Sequence, residues 1–317
     1  HTLDHDGGDV AIEKFDEAVL AALTAGDDEQ LAEASVELSI ALNGRQRPRE
    51  AARMFGIARN ATNPETAPAM LRLKLLAAEG SMISNEGREE EALAVLKAGV
   101  ALAEAELGPE HPSTITMLDN LTVPLGGLQR YEESLEVNAR ASDIANRVLG
   151  PSHPTTARML ETRGVALAGL GRIREALEPL RQAYSISFAA APASSSTIRL
   201  AANLSAALLN LDAEGGGEGG EVEQALAVLQ PVADRLESEG RIAEPGTSTV
   251  WLQLGSIRRR QGRVEEGVRL IERGLASVEA LHAALCLLGD RDDSLLEGYR
   301  WAGDWLEKNS AIFGARA

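Results

Sequence analysis

The chain has 317 residues, 44% of them apolar but only 3% aromatic, and its abundant alanine and leucine suit close-packed helices better than sheets. A formal net charge of −17 opposes binding to phosphate backbones and anionic lipid surfaces, both of which call for excess Lys and Arg. The single cysteine, Cys286, excludes an internal disulfide and a four-thiolate metal site, and no apolar run approaches the ~20 residues that span a bilayer.

In chain order, helical periodicity begins near Asp9–Thr24 and continues over Asp27–Leu42, and residues 1–46 are assigned to an N-terminal cap. His1 and His5 beside Asp4 and Asp6 carry metal-binding chemistry, but a frayed terminus is the expectation there. No signal peptide or Arg/Ser-rich presequence is recognisable, and the chain begins at His1 without a methionine. A cytoplasmic protein is expected, with an organelle such as a chloroplast or mitochondrion, after transit-peptide removal, as the alternative.

From residue 47 the sequence becomes periodic. Ala51, Ala92, Ser134, Ala176, Ala225 and Gly267 each open the second helix of a unit, at separations of 41, 42, 42, 49 and 42. A period of that length, made of two helical stretches and a Gly/Pro loop, is the signature of a stacked helical array. Seven positions after each anchor stand Ala58, Gly99, Ala141, Ala183, Val232 and Gly274, mostly small residues that let neighbouring helices approach closely. In one unit Ile115, Leu118, Leu121 and Leu125 form the apolar face of the first helix, and Tyr131, Leu135, Ile144 and Val148 that of the second.

The loops between units repeat too: Gly108-Pro109-Glu110-His111-Pro112 returns as Gly150-Pro151-Ser152-His153-Pro154. The glycines suit the left-handed residue that stops a helix, and Pro112 and Pro154 preset the first turn of the next. His111 and His153, recurring at one loop position, mark a structural role repeated per unit and not a single reaction centre. Pro124 and Pro179 fall inside helices, where a kink is expected, and Pro124 adjoins Asn120. The Gly215–Gly220 tract explains the long interval of 49 and is assigned as a loop insertion, at 212–221, within one domain that spans 1–317. His282, Cys286 and Asp290 are spaced to share a helix face, but zinc needs about four ligands and Cys286 lies among leucines, so a buried thiol is expected. Repeats run over 47–290, and a C-terminal helix at 291–317 carrying Trp301 and Trp305 closes the array as a cap or partner anchor.

Trp251-x-x-Leu254-Gly255 followed by Gly262-Arg263-x-Glu265-x-Gly267 resembles the tetratricopeptide repeat pattern. The 42-residue units with Leu-Gly-Pro-x-His-Pro loops are similar to the longer variant of kinesin light chains. The resemblance implies an all-α, right-handed solenoid of stacked helix-turn-helix repeats whose inner, first-helix surface cradles an extended peptide. The paired Asn-Asn of kinesin light chains is not kept: Asp119-Asn120, Glu161-Thr162 and Ala202-Asn203 stand at those positions, and no N-terminal heptad region is present, so a motor cargo adaptor is not expected.

One turn before those positions the register places Lys74, Thr116, Arg158, Arg199 and Thr249 on the inner face. Two readings are open for these cations: they clamp an acidic, carboxylate-bearing segment, or they pair with Glu and Asp on adjacent helices. Arg258-Arg259-Arg260 ends a first helix, where cations favour the dipole. No nucleophile, base and orienter can be assembled, so no enzyme, cofactor or metal is expected. The expected function is a non-enzymatic scaffold or assembly factor that binds a protein segment in a concave groove through Lys74, Asn120, Arg158, Arg199 and Asn203. A sensor segment of a larger signalling protein and a structural subunit of a large complex are the alternatives. No nucleic acid, membrane span or defined oligomeric state is implied.

Overall fold

The structure, a computed structural model, describes residues 5–44, 47–213, 215, 220–241 and 247–287, with backbone alone at 5–9 and 277–287. The described residues form thirteen α-helices and no strand: α1 His5–Ala25, α2 Asp28–Gly44, α3 Pro48–Ala61, α4 Ala69–Asn85, α5 Glu89–Glu106, α6 Pro112–Gly127, α7 Tyr131–Val148, α8 Pro154–Gly169, α9 Ile173–Ala190, α10 Ser195–Ala213, α11 Glu221–Ser238, α12 Ser248–Arg260 and α13 Val264–Leu287. The chain divides into two compact units, His1–Glu221 and Val222–Ala317, at the end of the glycine tract.

In the first unit every helix packs on its predecessor, and every even-numbered helix from α4 to α10 also touches the even one before it. This is an all-α solenoid of helical repeats. The core is correspondingly serial. Leu73, Leu96, Met117 and Leu121 join α4, α5 and α6, and Ile115, Ile144 and Met159 join α6, α7 and α8, so α6 is shared by two clusters. Ile115, Leu118, Leu121 and Leu125 are buried as the 3.6-residue period requires, and so is Ile144, but Val148 at the end of α7 is exposed because the stripe has rotated to solvent there.

The punctuation between units works as its residue types dictate. Gly108 and Gly150 take φ of 100° and 90°, a left-handed conformation that costs glycine little. The two histidines then cap the following helices: Nδ1 of His111 accepts the Ser113 N–H at 3.1 Å, and Nδ1 of His153 accepts the Thr155 N–H at 3.1 Å. Thr114 and Thr156 each donate a hydroxyl to the glycine carbonyl at 2.8 Å, and Thr197 donates one to Ala191 at 2.7 Å in the next loop, where Ser194 takes over the capping place. α6 runs on through Pro124 to Gly127, and α9 through Pro179 to Ala190.

The small anchors permit the close pairing. Ala51, Ala92, Ala176 and Ala225 are fully buried. In the second unit Gly255 of α12 and Gly267 of α13 meet so closely that a Cβ on either would sit 2.6 Å from the other's carbonyl oxygen. A Cβ at Gly99 would collide with the Met117 methyl, the free end of a flexible side chain that would have to turn aside.

Candidate functional site

A helix inside such a stack is covered on most sides. α6 keeps one solvent-facing stripe, Thr116, Asn120, Val123 and Gly127, and the stripe recurs on α8 as Arg158, Thr162, Val165 and Gly169 and on α10 as Arg199, Asn203, Ala206 and Asn210. Positions i, i+4 and i+7 of a helix share a face, so the even helices together present parallel rows. The first row holds Glu33, Lys74, Thr116, Arg158 and Arg199; the second holds Glu37, the buried Ala78, Asn120, Thr162 and Asn203; the third holds Ile40, Ser81, Val123, Val165 and Ala206.

All three cations of the first row are both on this face and in ion pairs. Lys74 Nζ lies 2.7 Å from Glu37 Oε1, Arg158 Nε 2.6 Å from Asp119 Oδ2, and Arg199 Nη2 2.9 Å from Glu161 Oε2, each reaching back to the preceding even helix. The pairs are lopsided. The Arg158 and Arg199 side chains are 45% and 55% exposed, whereas those of Asp119 and Glu161 are 10% and 7% exposed, so the carboxylates lie beneath and the guanidinium groups above. Asn203 Nδ2 donates to Glu161 Oε1 at 3.0 Å, and the Thr162 hydroxyl donates to Asp119 Oδ1 at a long 3.5 Å.

Burial pushes the Asp119 carboxyl above the ordinary range, against the lowering pull of Arg158, the Thr162 hydroxyl and Arg199. Glu161 is raised for the same first reason, opposed by Arg199 and Asn203 and reinforced by the neighbouring charge of Asp119. The ladder is therefore a coupled set of two acids and two arginines spanning α6, α8 and α10.

Over α2, α4, α6 and α8 the face deepens into an open groove of ≈ 470 Å³. Lys74, Thr116, Asn120 and Arg158 lie along it beside Ile40, Met70, Met82 and Met117, which combines hydrogen-bonding groups with pliable apolar ones. At one end a chain of amides stiffens the wall: Asn85 Nδ2 donates to Asn43 Oδ1, and Asn43 Nδ2 to Ser81 Oγ, both at 3.0 Å.

The structure thus brings Lys74, Asn120 and Arg158 to one groove and continues the same face through Arg199 and Asn203. Of the two readings open for the cations, the ion pairs with acids on adjacent helices are present; sequence reasoning did not name Glu37, Asp119 and Glu161 as those acids, noting the last two only where an Asn pair was sought, and it missed Val123 and Val165. Their signal was the register itself, seven residues beyond each first-row position. Among the described residues no three His, Cys, Asp or Glu gather as a metal site, and no helix is long and apolar enough to cross a membrane. Trp301, Trp305, Asp290, His1 and the 291–317 cap lie outside the described residues, as do the side chains of His5, His282 and Cys286.

A family model described as Tetratricopeptide repeat matches residues 125–187, which hold α7, α8 and most of α9. The kinesin-light-chain-type protein of Podosopora anserina with nearly identical TPR-like repeats superposes with a TM-score of 0.53 at 22% identity, over 65% of this chain and 94% of that one. Residues 125–187 thus carry the tetratricopeptide-repeat pattern, within an all-α solenoid of helical repeats. Other chains share the fold: BtubC (BKLC) of P. vanneervenii at TM-score 0.58 and 15% identity, covering 73% and 92%, and a Rap protein complexed with Competence and Sporulation Factor at 0.63 and 13%, covering 98% and 92%. No curated protein matches the sequence significantly.

Proposed function

We propose that this tetratricopeptide-repeat chain is a non-enzymatic interaction scaffold that holds a segment of a partner protein on the even-helix face of its first unit. The observation that carries the reading is the single solvent-facing stripe repeated from α2 to α10, with the ≈ 470 Å³ groove over α2 to α8. Repeating one exposed row per helix lays out contact points at regular intervals, which suits a long ligand lying across the helices better than a compact substrate. The Rap complex supports it, because that chain shares the fold and was solved with a bound factor. The groups that invite a catalytic reading are engaged otherwise: His111 and His153 cap helices, and Asp119 and Glu161 hold arginines.

Lys74, Asn120, Arg158, Arg199 and Asn203 are the contact residues of this reading. The experiment compares partners captured from native extract by the wild-type chain and by K74E/R158E/R199E, with helicity checked by circular dichroism. Partners retained by the first and lost from the second are expected. Undiminished capture by the folded triple variant would remove this face from the function.

A second reading is that the chain is the sensor segment of a larger signalling protein. It leans on a Pyrococcus horikoshii signal-transduction ATPase with a tetratricopeptide repeat sensor, which this chain matches at TM-score 0.61 and 14% identity over 89% of itself but only 43% of that protein. The length of the native reading frame separates the two.

A further inference from the structure

The odd-helix side of the first unit carries two crevices built to one plan. Between α5 and α7, Glu104, Leu118, Arg140 and Ile144 line two adjoining hollows of ≈ 350 and ≈ 230 Å³. Between α7 and α9 the residues 42 positions on, Asn146, Leu160, Gln182 and Ile186, line one of ≈ 290 Å³. The adjoining loops are alike, since Thr114 and Thr156 donate the same hydrogen bond to Gly108 and Gly150.

The first crevice is barred. Arg140 reaches across it to Glu104, and Arg147 Nη2 lies 2.8 Å from Glu110 Oε1. Arg140 lines both hollows, so its apolar stem roofs the floor, and Leu118 and Ile144 are only 3% and 4% exposed. In the second unit Arg273 reaches Glu237 across the same separation of 36 residues. The crevice between α7 and α9 lacks such a bar. Asn146 and Gln182 stand where Glu104 and Arg140 do, and Ser152 and Ala189 replace Glu110 and Arg147. Gln182 turns along its own helix instead and donates Nε2 to Glu178 Oε1 at 2.7 Å. Leu160 and Ile186 are thereby left partly open to water.

We propose that this unbarred crevice takes an uncharged stretch of a partner polypeptide, with one aliphatic side chain seated on Leu160 and Ile186 and the flanking main chain held by Asn146, Ser152 and Ser185. No charged side chain lines it, in a chain of net charge −17. An entering carboxylate meets no cation there and an ammonium no anion, so either would lose hydration without compensation. Asn146, Ser152 and Ser185 make no side-chain hydrogen bond among the described residues, and their amide and hydroxyls both donate and accept. These groups complement the N–H and C=O groups that an extended or looped segment brings unspent, whereas a helix keeps its own paired. The volume, at the low end for ligand sites, suits a short stretch of chain. This surface lies on the odd helices and is independent of the even-helix groove.

The barred crevice serves as an internal control. With leucine and isoleucine methyls labelled in the full chain, the neutral peptide acetyl-Ser-Leu-Ser-amide is titrated and followed by NMR. Saturable shifts are expected at Leu160 and Ile186, with a Kd on the order of 1 mM, and none at Leu118 and Ile144. Acetyl-Glu-Leu-Glu-amide should bind at least about ten-fold more weakly. N146E/Q182R, which restores the bar, should abolish the shifts, and E104N/R140Q, which removes it from the first crevice, should make Leu118 and Ile144 respond. The four substituted positions are accessible to solvent, so both variants keep the fold, as circular dichroism will confirm. Absence of saturable shifts at Leu160 and Ile186, equal response of both crevices in the wild type, or binding unaltered by N146E/Q182R overturns the proposal. A preference for the acidic peptide overturns it too, as do concentration-dependent shifts of Leu160 and Ile186 without peptide, which would assign the crevice to a second copy of the chain. Failure of E104N/R140Q to respond overturns the roofing role of Arg140. None of these outcomes bears on the even-helix groove, which stands or falls on partner capture by K74E/R158E/R199E.

Discussion

Two regions of this chain pair arginine with a carboxylate once per repeat, and they behave in opposite ways. At the starts of the odd helices Arg88 reaches Glu91, Arg130 reaches Glu133 and Arg172 reaches Glu175, three residues on, as Arg47 reaches Glu50 before α3 and Arg263 reaches Glu266 in α13. On the inner face Arg158 reaches Asp119 and Arg199 reaches Glu161, 39 and 38 residues back. The guanidinium holds Glu91, Glu133 and Glu175 below the usual carboxylate range, whereas burial lifts Asp119 and Glu161 above it. The same two groups thus make a loose local clasp where both are wet, and an expensive cross-helix strut where the acid is dry.

The largest effect follows from breaking the strut on one side only. R158A or R199A leaves a buried carboxylate without its cation, and although the half-exposed arginine lets water soften the penalty, about 2 kcal/mol of unfolding free energy should be lost, read from the urea midpoint at constant slope. D119A/R158A should lose less than the two single changes added together, by about 1 kcal/mol, because the double variant removes both ends. An additive cycle would mean that the strut carries no coupling and that the two regions are alike.

Next in size is the response to pH, where the regions differ in sign. An acid raised in the folded state binds its proton more readily there than in the unfolded chain, so acidification toward the unfolded values of about 4 favours the fold. The stability of the wild type relative to D119N/E161Q should therefore rise as pH is lowered from 7.5 toward 5. For Glu91, Glu133 and Glu175 the folded value is depressed, so their contribution is present above the unfolded value and fades as pH drops through the folded one. Thermal unfolding of D119N/E161Q and of E91Q/E133Q/E175Q against the wild type across pH 3.5–7.5 should give slopes of opposite sign, and parallel slopes would dissolve the distinction.

What the sequence disclosed tracks how local each constraint is. The loops were legible because a glycine at φ near 90–100°, a proline at the first helical position and a histidine cap act within a few residues, and the repeat of Gly108–Pro112 at Gly150–Pro154 put them in register. The small anchors were legible for the same reason, since close approach leaves room for little else at Gly255 and Gly267. Asp119 and Glu161 were not, because their partners stand a whole repeat away and only the placing of one helix beside the next joins them. The valines were hidden by a sound default: an apolar residue on an amphipathic helix is normally core, and that default failed both for Val123 and for Val148.

The smallest effect is expected from the helix-start clasps, and it sharpens the comparison from the other side. R130A removes a guanidinium that contacts Glu133 within its own turn and Glu90 of α5 at 3.4 Å, all three at the surface. Neither acid is left in a dry setting, since water replaces the lost donors, and the entropy of the two released side chains offsets the attraction given up. R130A should therefore leave the urea midpoint unchanged within error at 0.15 M salt and lower it detectably only at low ionic strength, where screening is weak. A midpoint loss as large as that of R158A would show that the clasp, and not burial of the carboxylate, sets the worth of an arginine in this array.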